Sequence, residues 1–315
     1  MTDRYITRFN SEFLNKDLGG RVYLVTGADS GGGFELTQQL IKQGAHVVMV
    51  CRQLRSAHTA ANHFVTLKGT YDIQLCDLSD MQSIRQFVDS FLSRYNHLDG
   101  LLCNEEVFNV KNKLEYTRDG FESTMAESFF GHFLLTELLL DLLKQTPDSR
   151  MLILSSANKS GNPKGGYTVN LDDLHWKKRK FNNYSAYEEA KVASRQYVME
   201  LSDRLKDTWV STYSIHPIFG ESSFSSGVSW FRKISMTFLE PVLKIFRTRD
   251  TSWDSVLVSL YCILSDEAPK GTDLYQDREY LQEGFSLYLS DFGTQDMDAA
   301  KELVALSKSL VGLNH

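Results

Sequence analysis

Short apolar runs alternate along this chain with longer segments whose apolar positions recur at helical spacing. Arg21 to Thr26 (RVYLVT) opens the series as a strand, and Phe34 to Gln43 follows with the period of a helix. Strands are predicted next at His46 to Cys51 and Ile73 to Cys76, then a helix from Met81 to Tyr95 and a strand from Leu98 to Asn104. A long helix within Asp119 to Lys144, a strand from Met151 to Ser155, a helix from Ser185 to Asp207 and a strand from Val210 to His216 complete the alternation. Apolar strands separated by amphipathic crossovers predict a parallel sheet buried on both faces.

The predicted class is therefore α/β, a doubly wound parallel sheet of the Rossmann type. A single domain over residues 20–315 is expected, with residues 1–19 as an N-terminal extension. Such sheets bind ligands at the carboxyl ends of their strands, so the residues after each strand matter most. Immediately after the first strand stands Thr26-Gly27-Ala28-Asp29-Ser30-Gly31-Gly32-Gly33, and a helix follows directly. Glycines there allow close backbone approach, and the free N–H groups and positive end of the helix stabilise a pyrophosphate. A glycine-rich turn with no ligand is the alternative, disfavoured by its position between a first strand and a first helix.

The end of the second strand bears on the choice of dinucleotide. No Asp or Glu occurs between Glu35 and Asp72, whereas Arg52 follows the strand directly and Arg55 is close by. A cation at this position suits a ribose 2′-phosphate, so NADP(H) is favoured over NAD(H). Asp77, with Leu78 beside it after the third strand, is a candidate contact for adenine; the alternative for Asp77 is a helix cap before Met81.

Tyr187 and Lys191 are four residues apart and so share one helical face. A neighbouring ammonium favours phenolate, which would lower the phenol from about 10 toward neutrality and let Tyr187 exchange a proton with an alcohol or carbonyl oxygen. Tyr184 faces Glu188 at the same spacing and cannot serve in this way. Ser155 and Ser156 follow the fifth strand, where the hydroxyl of Ser156 could hold a substrate oxygen; simple polar closure of a strand is the other reading.

Composition limits the partners. The formal charge is −6, with 34 Lys and Arg against 40 Asp and Glu, so no broad basic field exists to hold nucleic acid. Cys51, Cys76, Cys103 and Cys262 are widely spaced and read as reduced core residues, neither disulfides nor metal ligands. No apolar run reaches the roughly 18 residues of a membrane span, and the first residues lack a secretory pattern, so a cytoplasmic location is the default.

These residues resemble the short-chain dehydrogenase/reductase family, and within it the retinol dehydrogenase-like branch, over roughly Gly20 to Leu313. Thr26, Gly27, Gly31 and Gly33 match its glycine motif, and Tyr187 with Lys191 its Tyr-x-x-x-Lys motif. Cys51-Arg52, Cys76-Asp77-Leu78-Ser79-Asp80, Asn104, Gly131-His132-Phe133-Leu134-Leu135, Ile153-Leu154-Ser155-Ser156, Leu171-Asp172-Asp173-Leu174 and Val311-Gly312-Leu313 are similar to that branch as well. The resemblance implies hydride transfer between a nicotinamide and a hydrophobic alcohol or carbonyl. Ser156, Tyr187 and Lys191 would be catalytic. Thr26, Gly27, Ser30, Gly31, Gly33, Arg52, Asp77, Leu78, Asn104, Tyr187 and Lys191 would hold the cofactor. It also implies pairing as a homodimer through the long helices.

Four departures fall at this site. Glu105 and Glu106 replace the small residues after Asn104, placing negative charge near an anionic ligand. Ser128 stands where the family has its catalytic asparagine. Gly32 replaces a branched apolar residue, and Ile218 follows Pro217 where a glycine is usual. A weakened or inactive homologue acting as a binding or scaffold protein is therefore the rival expectation. The resemblance also implies a helical lid at about 217–250, where the aromatic and apolar stretch Gly220 to Thr248, with Arg232, Lys233, Lys244 and Arg247, would suit a lipophilic substrate, peripheral contact with a membrane, or ordinary core packing.

Overall fold

The structure, a computed structural model, describes residues 4–6, 11–109, 111–155, 168–216, 251–276, 287–290 and 297–313. One sheet organises them. Its strands are β1 (Arg4–Ile6), β2 (Val22–Thr26), β3 (His46–Cys51), β4 (Thr70–Leu75), β5 (Gly100–Cys103), β6 (Arg150–Leu154), β7 (Ser211–His216), β8 (Thr272–Gln276) and β9 (Leu287–Ser290). They lie in the order β1-β9-β8-β7-β6-β5-β2-β3-β4. From β4 to β8 every pairing is parallel; β9 runs antiparallel to β8, and β1 antiparallel to β9. The strand order reverses at β2 and β5, the switch point where such sheets open a crevice.

Alternate side chains of the central strands feed two cores. Leu24, Val48, Leu101, Met151 and Ile153 pack on one face with α3 (Met81–Leu92), α5 (Gly131–Gln145), α6 (Asn183–Arg204) and α8 (Met297–Leu310). Tyr23, Val25, Val47, Leu102 and Leu152 pack on the other with α1 (Gly31–Lys42), α2 (Leu54–Ala61), α7 (Thr251–Leu264) and Phe13 of a short 3₁₀ turn. This period-two division is the physical basis of the doubly wound arrangement. All four cysteines are reduced and buried. No helix among the described residues is long and apolar enough to cross a membrane.

Several helix ends follow local chemistry. Asp80 caps α3 by accepting from the backbone N–H groups of Gln82 and Ser83, and Asn182 caps α6 at Ser185. The cap of α3 is thus Asp80 and not Asp77, whose carboxylate is turned to the N–H and hydroxyl of Ser79. The long helix expected within Asp119 to Lys144 begins with α4 (Ser123–Met125), widens into a π turn over Ala126–Phe130 and continues as α5. Before α6, Arg179 pairs with Asp173 and Glu189 and lies 3.9 Å over the ring of Trp176.

Candidate active site

The glycine loop is shaped by what its Cβ-less positions avoid. Gly27 and Gly31 take positive φ, 62° and 51°, which L side chains adopt only with strain. A Cβ on Gly33 would lie 2.1 Å from the carbonyl oxygen of Gly27 and 2.6 Å from Nδ2 of Asn104, so only glycine lets α1 start this close to the end of β5. Ser30 precedes α1 in extended conformation and makes no side-chain cap bond, leaving the first-turn N–H groups available to a ligand. Gly32 is different: an added Cβ would meet Asn104 Oδ1 at 3.5 Å and Val256 at 3.9 Å, both ordinary contacts.

Thr26 ties this loop to the end of β5. Its buried Oγ1 accepts the N–H groups of Asn104 at 2.9 Å and Glu105 at 3.0 Å, and Asn104 Nδ2 donates back to the Thr26 carbonyl. The Oγ1 lies 2.9 Å from Nε2 of His132 on α5 and 3.4 Å from the Leu102 carbonyl. With two donors already arriving, the hydroxyl proton goes to the nearer Nε2, which makes His132 the Nδ1–H tautomer, donating to the Ser128 carbonyl. Burial holds this imidazole neutral, down at about 3, with repulsion from Lys191 adding to the shift. Ser194 Oγ reaches the same Ser128 carbonyl. The Ser128 hydroxyl itself lies within hydrogen-bond reach of Val107 N and O, so serine at this position braces the segment after Glu106.

Neither glutamate turns outward. Glu105 meets Arg52 at 3.1 Å, and Arg52 also meets Glu127 of the π turn at 2.7 Å. Burial raises the carboxyl of Glu105 despite Arg52, and its Oε2 is buried with no hydrogen-bond partner. Burial likewise pushes Glu127 up to about 7. Glu106 turns the other way: one oxygen pairs with the Lys191 ammonium, and the other accepts from the Tyr187 hydroxyl at 3.3 Å.

Tyr187 and Lys191 stand on one face of α6 as their spacing predicts, with Nζ 5.4 Å from the phenol ring centroid. Lys191 is 1% exposed and also donates to the Leu154 carbonyl at the end of β6. The expected lowering of the phenol is corrected by the structure. Burial first, and then the Glu106 carboxylate, hold Tyr187 well above its ordinary value, and the Lys191 ammonium is itself paired with Glu106. Burial lowers Lys191, and Glu106 partly opposes that shift.

The remaining expected residues are spread along the same sheet edge. Asp77 and Leu78 follow β4; the Leu78 side chain is in the core, and its carbonyl is so close to Gly131 that a Cβ there would meet it at 2.3 Å. Arg55 lines a cleft of about 400 Å³ between the glycine loop and α2, with Asp29, Phe34, Ser56 and Thr59. Ser156, Ile218, Gly220 and the lid at 217–250 lie outside the described residues. Among the described residues no group of His, Cys, Asp and Glu is placed to hold a metal ion. Sequence reasoning missed Glu127 and gave His132 no role. The available signal was a charged and a titratable residue inside the apolar stretch around Phe129, Phe130 and Phe133.

Together these features define an α/β protein of the Rossmann type with a tyrosine–lysine pair at the carboxyl edge of its sheet. A family profile described as "short chain dehydrogenase" matches residues 21–169. Retinol dehydrogenase 11 of Mus musculus is 33% identical over 80% of this chain and 76% of its own length. Retinol dehydrogenase 12 of Bos taurus is 34% identical over 79% and 75%, and protochlorophyllide reductase of Chlamydomonas reinhardtii 31% over 92% and 78%. Among solved structures, an uncharacterized protein from Mycobacterium paratuberculosis aligns over 94% of this chain and 95% of its own, with TM-score 0.72 and 26% identity. The chain belongs to the short-chain dehydrogenase/reductase family, in its retinol dehydrogenase-like branch. The family and the retinol dehydrogenase relatives support oxidoreductase chemistry between an alcohol and its aldehyde, and the family implies a nicotinamide cofactor.

Proposed function

We propose that this chain is an NADP(H)-dependent oxidoreductase that interconverts a lipophilic alcohol and its aldehyde or ketone. One observation carries the reading: Tyr187 and Lys191 stand together on α6 beside the end of β6, on the sheet edge that also carries the glycine loop. That loop fits a dinucleotide, since Gly33 has no room for a Cβ and α1 begins without a side-chain cap. Thr26, Gly27, Ser30, Gly31 and Gly33 would hold the pyrophosphate. Asp77, Leu78 and Asn104 would line the cleft, and Lys191 with Tyr187 would hold the nicotinamide ribose. Arg52, with Arg55 nearby, would take a 2′-phosphate, which favours NADP(H). A metagenomic short-chain oxidoreductase solved with NADP shares the fold at TM-score 0.52 and 20% identity.

A bound nicotinamide supplies or accepts the hydride. Ser156, next to Ser155 at the end of β6, holds the substrate oxygen, and Tyr187 gives it a proton or takes one away. For Tyr187 to ionise near neutrality, Lys191 has to turn its charge from Glu106 to the phenolate. The lipophilic substrate is supported by the retinol named in the relatives and by the apolar stretch Gly220 to Thr248. Pairing through α5 and α6 stays an expectation of the resemblance, and α8 already packs against α6.

Tyr187→Phe is expected to cut turnover of aldehydes and ketones by about a thousandfold while nucleotide affinity stays within about threefold. Retained activity would refute the mechanism. The Glu106 pair with Lys191 and Tyr187 specifically favours a second reading, a catalytically weakened homologue acting as a binding protein. Nucleotide binding with no turnover of any carbonyl tried would select it.

A further inference from the structure

Glu105 and Glu106 are neighbours in sequence, yet their side chains diverge to cations on different elements. Glu105 reaches Arg52 after β3, and Glu106 reaches Lys191 and Tyr187 on α6. We propose that these two carboxylates set dinucleotide affinity and choice in this chain, each by occupying a cation that the nucleotide would otherwise take. The inference rests on the nicotinamide reading above and adds what opposes it.

At the adenosine end, Arg52 is shared between Glu105 and Glu127, with Asp77 also in electrostatic range. A 2′-phosphate that draws Arg52 away leaves Glu105 buried, with Oε1 losing Arg52 and Oε2 already unpartnered. It also brings a further negative charge among the acidic groups Glu105, Glu127, Asp77 and Asp29. Both effects oppose a phosphorylated ribose and neither opposes a plain one. At the nicotinamide end, the Lys191 ammonium has two acceptors, Glu106 and the Leu154 carbonyl. A ribose hydroxyl competes there with a carboxylate that also holds the Tyr187 hydroxyl. This competition is the same for NADPH and NADH, whose nicotinamide ribose is identical.

The two residues therefore have separable signatures. Glutamine keeps the shape and the Cβ of Glu105, which is what a Cβ on Gly27 would meet at 3.3 Å, and removes only the charge. In the full chain, E105Q is expected to tighten NADPH binding by about tenfold while NADH changes by less than about threefold. E106Q is expected to tighten both nucleotides by the same factor, and the double variant to show the product of the two effects. E127Q, which frees Arg52 from its other carboxylate, repeats the NADPH-selective gain if E105Q folds poorly.

Binding is read by nicotinamide fluorescence and calorimetry with NADPH and NADH as the only probes. A second readout needs no nucleotide. Ultraviolet titration of E106Q against E106Q/Y187F should place the Tyr187 phenolate at lower pH than in the parent. Nucleotide binding that E105Q and E106Q leave unchanged overturns the inference and keeps the nicotinamide reading. Equal gains for both nucleotides in E105Q overturn the assignment of Glu105 to the phosphate. Failure of every variant to bind either nucleotide, with the Tyr187 titration shifted, overturns the nicotinamide reading and with it the competition, while the carboxylate–cation pairing stands.

Discussion

The two sides of the candidate cleft are built from different materials. At the glycine loop the backbone makes the site, and Gly27, Gly31 and Gly33 remain wherever a Cβ would strain or collide. At the end of β5 side chains make the site, and there Glu105 and Glu106 bring charges opposite to those a nucleotide would meet at Arg52 and Lys191. The difference is one of constraint. Replacing Gly33 disturbs the contact between α1 and β5 and so threatens the fold, whereas Glu105 and Glu106 project into a crevice whose contents the fold does not need.

The largest expected effect tests that contrast directly. Gly33→Ala should destabilise the protein by about 2–4 kcal/mol in denaturant unfolding, since its Cβ would lie 2.1 Å from a backbone oxygen, while Glu105→Ala should cost less than about 1 kcal/mol. Equal losses would erase the distinction.

A smaller effect separates the two titrating groups that flank the strand end. His132 is held neutral at about 3 when folded and titrates near 6.5 when unfolded. As pH falls from 7 to 5 the unfolded chain takes up that proton and the folded one does not, so this group removes about 2 kcal/mol of stability. Glu127, raised to about 7 when folded, takes up its proton first in the folded state and adds a similar amount over the same interval. Relative to the parent, His132→Gln should therefore gain stability on acidification by about 2 kcal/mol, and Glu127→Gln should lose about as much. Thermal unfolding at pH 7 and pH 5 checks both, and parallel shifts in the two variants would contradict the opposed signs.

The smallest effect falls at Gly32, the one glycine of the helix start that combines room for a Cβ with no positive φ. Gly32→Ala should be neutral or stabilising by about 0.5 kcal/mol in the same denaturant assay.

The alternation of apolar runs was enough to place the central strands within a few residues, because parallel strands buried on both faces leave a continuous signature. The expected Arg21–Thr26 is Val22–Thr26, and Leu98–Asn104 is Gly100–Cys103. Elements that lack that signature were not legible. β1 has three residues, and β9 four, with neighbours outside the repeating pattern. The helix α2 begins with exposed Leu54 and buries only small alanines, so its period is faint. At the site, Tyr187, Lys191, Arg52 and the glycines could be named from spacing and strand ends. Their pairing with Glu106, Glu105 and Glu127 could not, because those contacts join residues as many as 85 positions apart through the tertiary fold.

The outer edge of the sheet has a consequence for synthesis. The strand nearest the amino terminus, Arg4–Ile6, pairs only with Leu287–Ser290 among the described residues, far along the chain. A ribosome releases the first of these partners almost a whole chain before the second. The glycine loop, β2 and β3 can assemble early during translation, while the first strand waits for nearly the last one before it has anything to hold.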